Sequence, residues 1–86
     1  MIDGAAAAIE FYKKAFGAIE RLCMRQPDDR IGHAEIQIGD SCVMMADENS
    51  QLQAFSPNHY GGSSVSLLIY TEDCYRLLHQ AISAGA

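Results

Sequence analysis

Three side chains able to bind, coordinate or exchange a proton recur at every second position of one short run. They are His33, Glu35 and Gln37, within Arg30-Ile-Gly-His-Ala-Glu-Ile-Gln-Ile. An imidazole titrates near neutral pH, a carboxylate accepts or coordinates, and an amide both donates and accepts. On a strand, a spacing of two puts all three on one face, roughly 6.6–7 Å apart along it. Neighbouring pairs could share a proton or an ion, whereas a three-ligand site needs a group from elsewhere. The interleaved Ala34, Ile36 and Ile38 are apolar, so the strand has two unlike faces. A solvated or interface-facing polar face and a ligand-binding cavity wall both fit this pattern, and burying such a set without partners is costly.

The other reactive residues are more scattered. Asp47 and Glu48 are adjacent carboxylates at the exit of the next strand, where such residues usually cap loops. His59 and Tyr60 lie in a breaker-rich loop and could act as a lid over a small molecule or as ordinary loop residues. His79 falls on the outer face of a helix. Met24, Met44 and Met45 read as core filler. Cys23, Cys42 and Cys74 are odd in number and widely spaced, with no Cys-x-x-Cys. They read as reduced, buried, small apolar residues in a cytoplasmic protein. No phosphate loop or nucleophile elbow is present. No catalytic residue is singled out, and whether the chain is an enzyme stays open.

Bulk properties narrow the partners. The 86 residues suffice for one small domain, 49% of them are hydrophobic, and the net charge is −5. An acidic balance without a basic cluster argues against nucleic acid and against an anionic membrane surface. Met1-Ile2-Asp3-Gly4 has no basic leader character, and no apolar run approaches the ~20 residues of a membrane helix.

These side chains must be positioned by short elements. Asp3 is predicted to cap a helix ending at Gly17, with Ala5, Ala8, Ile9, Tyr12, Ala15 and Phe16 as its apolar stripe and Glu10–Lys14 as an i,i+4 pair. A partly alternating strand follows over residues 18–25, then the turn Gln26-Pro27-Asp28-Asp29. Residues 31–46 form a hairpin about Gly39-Asp40. Residues 48–63 form a long loop. Val65–Tyr70 is predicted to be a strand, with Ser66, Leu68 and Tyr70 on one face. Thr71-Glu72-Asp73 caps a second helix whose buried stripe is Cys74, Leu77, Leu78, Ala81 and Ile82, ended by Gly85.

Read in order, Asp3-Gly-Ala-Ala-Ala-Ala-Ile-Glu-Phe-Tyr-Lys-Lys-Ala-Phe-Gly-Ala18, Asp28-Asp29-Arg30-Ile31, His33-Ala34-Glu35, Ile38-Gly39-Asp40-Ser41, Met45-Ala46-Asp47-Glu48, Gly61-Gly62-Ser63 and Tyr70-Thr71-Glu72-Asp73 resemble the PhnB-like branch of the glyoxalase/bleomycin-resistance superfamily, also called vicinal oxygen chelate. The resemblance implies an α+β fold: a βαβββ-type curled mixed sheet with two helices on its outer face, lacking the first strand and the C-terminal strands of the family pattern. Residues 1–86 would then be a single partial domain. Residues 3–47 would hold the helix and strands of a first module, 48–63 a loop, and 64–86 the strand and helix of a second.

By the same resemblance, family metal ligands fall near Met45 and Ser66. A thioether suits no hard divalent ion and a serine is a poor ligand, so the family metal site is not carried over intact. The expectation is a small-molecule-binding protein whose cavity forms on homodimerisation, with no cofactor. Its candidate ligand-binding residues are His33, Glu35, Gln37, Met45, Ser66 and Tyr70. A divalent-metal-dependent lyase, isomerase or dioxygenase, and an inactive structural fragment, are the alternatives.

Overall fold

Gly39 adopts φ 60, the left-handed value that a two-residue hairpin turn asks of its first residue and that glycine meets without a Cβ penalty. Ile38 therefore pairs with Ser41, and the antiparallel register runs back to Ala34 and Met45. The computed structural model describes residues 1–86. Its elements are α1 (Ala5–Phe16), β1 (Ile19–Arg25), β2 (Ile31–Ile38), β3 (Ser41–Met45), a 3₁₀ turn (Ser50–Leu52), α2 (Pro57–Tyr60) and α3 (Cys74–Ser83). The strands form one antiparallel sheet in the order β1-β2-β3. The fold is thus α+β, with the hairpin at its centre.

In β1, Glu20 pairs with Ile36 and Leu22 with Glu35, leaving Arg21 as an extra residue. This bulge explains why the apolar residues of β1 alternate imperfectly. The β1–β2 turn closes through Gln26 N–H to Arg30 O (2.7 Å), while Asp28 Oδ1 accepts from Arg30 N–H (3.1 Å).

The core lies between α1 and one face of the sheet. Ala5 and Ile9 of α1 and Ala18 pack on Ile31, Ala34, Ile36 and Met45. His33, Glu35 and Gln37 point the other way, as their alternation requires. Gly17 stops α1 at φ 66; its N–H donates to Lys13 O, and the next N–H, of Ala18, reaches back to Tyr12 O. The start of α1 departs from expectation. Asp3 does not cap it; Gly4 is the N-cap and has no side-chain bond. Asp47, arriving from the exit of β3, accepts from Ala5 N–H through Oδ1 and from Ile31 N–H through Oδ2, both at 2.8 Å. Lys13 pairs with Glu10 (3.0 Å) and Glu20 (3.5 Å), taking the place expected of Lys14.

The last quarter of the chain corrects several expectations. Val65–Tyr70 is not a strand: it pairs with nothing and is exposed throughout. The sheet is not mixed; its one parallel feature is an isolated bridge between Ile2 and Asp47 beside β3. Only α1 covers the sheet. Asp73 does cap α3, accepting from Arg76 N–H at 3.0 Å, but α3 packs on α1, with Gln80 Nε2 donating to Lys14 O at 3.0 Å. Of its apolar stripe only Ala81 is buried, while Leu78 and Ile82 are exposed. The cysteines are free, yet Cys42 and Cys74 are exposed rather than buried. Of the three methionines read as core filler, only Met45 is in the core. No helix is long and apolar enough to cross a membrane.

Candidate functional site: the uncovered sheet face

β2 holds His33, Glu35 and Gln37 in a row on the face away from α1. His33 Nε2 lies 3.0 Å from Glu35 Oε1. A carboxylate at this distance orients the imidazole and leaves Nδ1 available to a ligand. Gln37 is held from both ends: its Oε1 accepts from Arg21 Nε (2.7 Å) and its Nε2 donates to Gly39 O (2.8 Å). Arg21 reaches Gln37 because it is the bulge residue. The row is therefore ordered by its own hydrogen bonds while staying only half-buried.

Register supplies the rim. Directly opposed residues on neighbouring antiparallel strands share a face. Met24 opposes His33, Leu22 and Met44 oppose Glu35, and Cys42 opposes Gln37. Met24 and Met44 are 56% and 64% exposed. The result is a shallow polar strip between two soft apolar borders. It can accept and donate hydrogen bonds along its centre and make polarisable contacts at its edges. No group of three or more His, Cys, Asp or Glu side chains is arranged to hold a metal ion.

The remaining candidates lie elsewhere. Met45 faces α1 and is buried, on the opposite side of the sheet from His33. Tyr70 joins Met45 at a second feature, a groove of about 530 Å³ beside β3 and α1. Ile36, Ile38 and Val43 form its floor, and Leu67–Tyr70 its far wall. Ser66 lines neither place. The six candidates thus separate into a polar trio on one face, two residues at the groove on the other, and one in solvent.

Asp47 and Glu48 are structural, as adjacent strand-exit carboxylates usually are. Asp47 ties α1 to β2. Glu48 Oε1 accepts from Ser56 N–H at 2.9 Å and from the Ser56 hydroxyl, and Ser56 is buried at the start of α2. These two bonds, with His59 and Arg30 nearby, hold the Glu48 carboxyl below its ordinary range. Glu10 and Glu20 beside Lys13 push its ammonium up. His59 stacks on Phe55 with ring centroids 4.0 Å apart, and Tyr60 packs edge-on to both. His79 is exposed, as its place on the outer helix face predicts.

Three functional neighbours escaped the sequence reading. Arg21 was hidden by the bulge, and Met24 and Met44 by their apolar character. Counting back from the Gly39-Asp40 turn would have placed Met44 opposite Glu35.

No family model matches the chain. It is similar to an uncharacterised protein of Mycobacterium bovis, 34% identical over 89 residues, which covers 100% of this chain and 59% of that protein. An uncharacterised protein of Mycobacterium tuberculosis matches at 34% identity over 89 residues, 100% of this chain and 52% of the relative. The X-ray structure of a gene product from Arabidopsis thaliana superposes with a TM-score of 0.75 at 32% identity, over 95% of this chain and 63% of that one. The chain therefore spans between half and two thirds of the length of these relatives.

Proposed function

We propose that this chain is a glyoxalase/bleomycin-resistance-like protein of the PhnB-like type that binds a small molecule on the uncovered sheet face, in a cavity completed by a second copy, without the family's metal site. One observation carries the reading: an ordered polar strip, His33–Glu35–Gln37, set between the exposed Leu22, Met24 and Met44 on the sheet face opposite the one that packs on α1. Sheet faces this rich in apolar side chains are normally covered. A ligand with a hydrogen-bonding edge and an apolar or aromatic body fits the strip, and sequestration of such a molecule needs no nucleophile or cofactor.

The test is amide NMR with a panel of aromatic and peptide antibiotics, read together with thermal shift. Perturbations centred on residues 33–37, 24 and 44, with a raised melting temperature, support the proposal. A panel-wide absence of both overturns it.

The His33–Glu35 pair favours a second reading, in which a divalent ion adds to these two side chains and polarises a substrate oxygen. Titration with Mn²⁺ would broaden the His33 and Glu35 resonances selectively if this reading holds. Unchanged resonances at millimolar Mn²⁺ exclude it. The span of half to two thirds of the relatives leaves a third reading, an inactive structural part of a longer protein; a chain that binds none of these probes supports it.

A further inference from the structure

The groove beside β3 lies on the side of the sheet away from His33, Glu35 and Gln37 and plays no part in the binding face proposed above. It exists because α1 lies mainly over β1 and β2, which leaves Val43 only half-buried on the inner face of β3. Ile36, Ile38, Val43 and Met45 form its floor, Tyr12 and Phe16 of α1 one wall, and Leu67–Tyr70 the other. Its volume of about 530 Å³ falls within the roughly 300–1,000 Å³ of small-molecule sites, which are apolar with a few placed polar groups.

Charge is placed at one end only. Ile19, just past α1, pairs with Gln37, so the C-terminal end of α1 and the Gly39-Asp40 turn lie at the same end of the sheet. Asp40 and Ser41 line the groove there, and Asp40 is the one ionised side chain among the lining residues. No cation pairs with it: Lys13 is held by Glu10 and Glu20, and Arg21 by Gln37. Phe16 and, one turn before it, Tyr12 line the same stretch, with ring centroids 6.1 Å apart and planes 23° from parallel. A carboxylate attracts an ammonium through its charge, and aromatic faces attract it through their quadrupole. An anionic head group would meet the same carboxylate and a chain of net charge −5. The far end of the groove, at Met1 and Ile2, offers no carboxylate.

We propose that this groove is a second binding site, for an elongated apolar molecule with an ammonium head. The head lies between Asp40 and the rings of Tyr12 and Phe16, and the apolar body runs along Ile38, Val43 and Met45 towards Ile2. Leu67–Tyr70 makes the site adjustable. From Ser66 to Tyr70 the backbone makes no hydrogen bond, and Leu67 and Tyr70 are 82% and 91% exposed. This wall can move onto a bound chain without breaking a ladder, and burying Leu67 and Leu68 against it adds affinity. The site needs neither a second copy nor the polar strip.

The probe is dodecyltrimethylammonium below its micelle concentration, with dodecyl sulfate as the chain-matched anion, added to the full chain carrying ¹³C-labelled methionine methyls. Met45 reports the groove and Met24 the opposite face. Calorimetry is expected to give one saturable site, with the ammonium about tenfold tighter than the sulfate, because one head is attracted and the other repelled. NMR is expected to move the Met45 methyl and leave that of Met24 unchanged. Asp40→Asn, in an exposed turn, should weaken the ammonium about threefold, the scale of an exposed charge pair. Asp40→Lys should remove its advantage over the sulfate. Leu67→Ser should weaken both probes alike, because it removes apolar contact only, and circular dichroism checks that each variant stays folded. No binding, equal binding of the two head groups, several molecules taken up without saturation, or an ammonium affinity indifferent to Asp40→Lys each overturns the proposal. Movement of Met24 in place of Met45 would refute the groove and leave the sheet-face reading standing. A groove that takes the ammonium in a chain whose residues 33–37 respond to no antibiotic would support the groove alone.

Discussion

Ile31–Ile38 and Val65–Tyr70 are both short, strand-like and rich in apolar residues, yet only the first is a strand. Ile31–Ile38 sits between two pairing partners and under a helix, so its alternating side chains have a core on one side and each backbone group a neighbour. Val65–Tyr70 has comparable propensity but is paired with no strand, and it lies exposed along a groove it does not fill. The contrast teaches that strand propensity measures fitness for a pleated, half-buried surface; it becomes structure only where such a surface exists. The helices repeat the lesson. α1 and α3 each have an apolar stripe and a good stop, but α1 found a sheet face and α3 found only the flank of α1.

The sharpest break of this contrast is a cavity in the first region. Ile36→Ala removes a fully buried side chain at the centre of the core and should cost about 3 kcal/mol in urea unfolding. Next comes the link that closes that region. Asp47→Ala orphans the N–H groups of Ala5 and Ile31 and should cost about 2–3 kcal/mol, with Asp47→Asn intermediate because one acceptor survives. Gly17→Ala forces a Cβ into φ 66 and should cost about 1 kcal/mol, read the same way.

An acid titration separates the loop from both regions. The lowered pKa of Glu48 means the folded state prefers its carboxylate, chiefly through the Ser56 hydroxyl bond. That stabilisation is complete above the ordinary value of 4.5 and is lost as pH falls through the lower folded value. Glu48→Gln should therefore flatten the stability curve below pH 4.5 and leave its shape at neutral pH unchanged. The smallest effect belongs to the second region. Leu78→Ala on exposed α3 should change stability by less than ~0.5 kcal/mol; a loss comparable to that of Ile36→Ala would show that α3 has a cover of its own and would erase the contrast.

Much of the first region was legible because its signals are local. Alternation over residues 31–38, the Gly39-Asp40 turn and the Gly17 stop each depend on a few neighbouring residues, and the structure follows them. The polar trio was legible for the same reason. The partners of that trio were not. Arg21 reaches Gln37 only because a bulge shifts the register, and Met24 and Met44 border it only because two strands bring them there. The cap of α1 was misplaced for a similar reason: Asp3 is local and well suited, but Asp47 arrives from 42 residues away and satisfies two donors at once.

Side-chain type and spacing alone determined that this chain has a two-faced hairpin with His33, Glu35 and Gln37 in line, because a period of two leaves no freedom about which residues share a side. Tertiary structure decided which elements found a surface to bury against. It buried Met45, exposed Met24 and Met44, and left Val65–Tyr70 unpaired, because burial depends on what lies opposite and not on the residue itself.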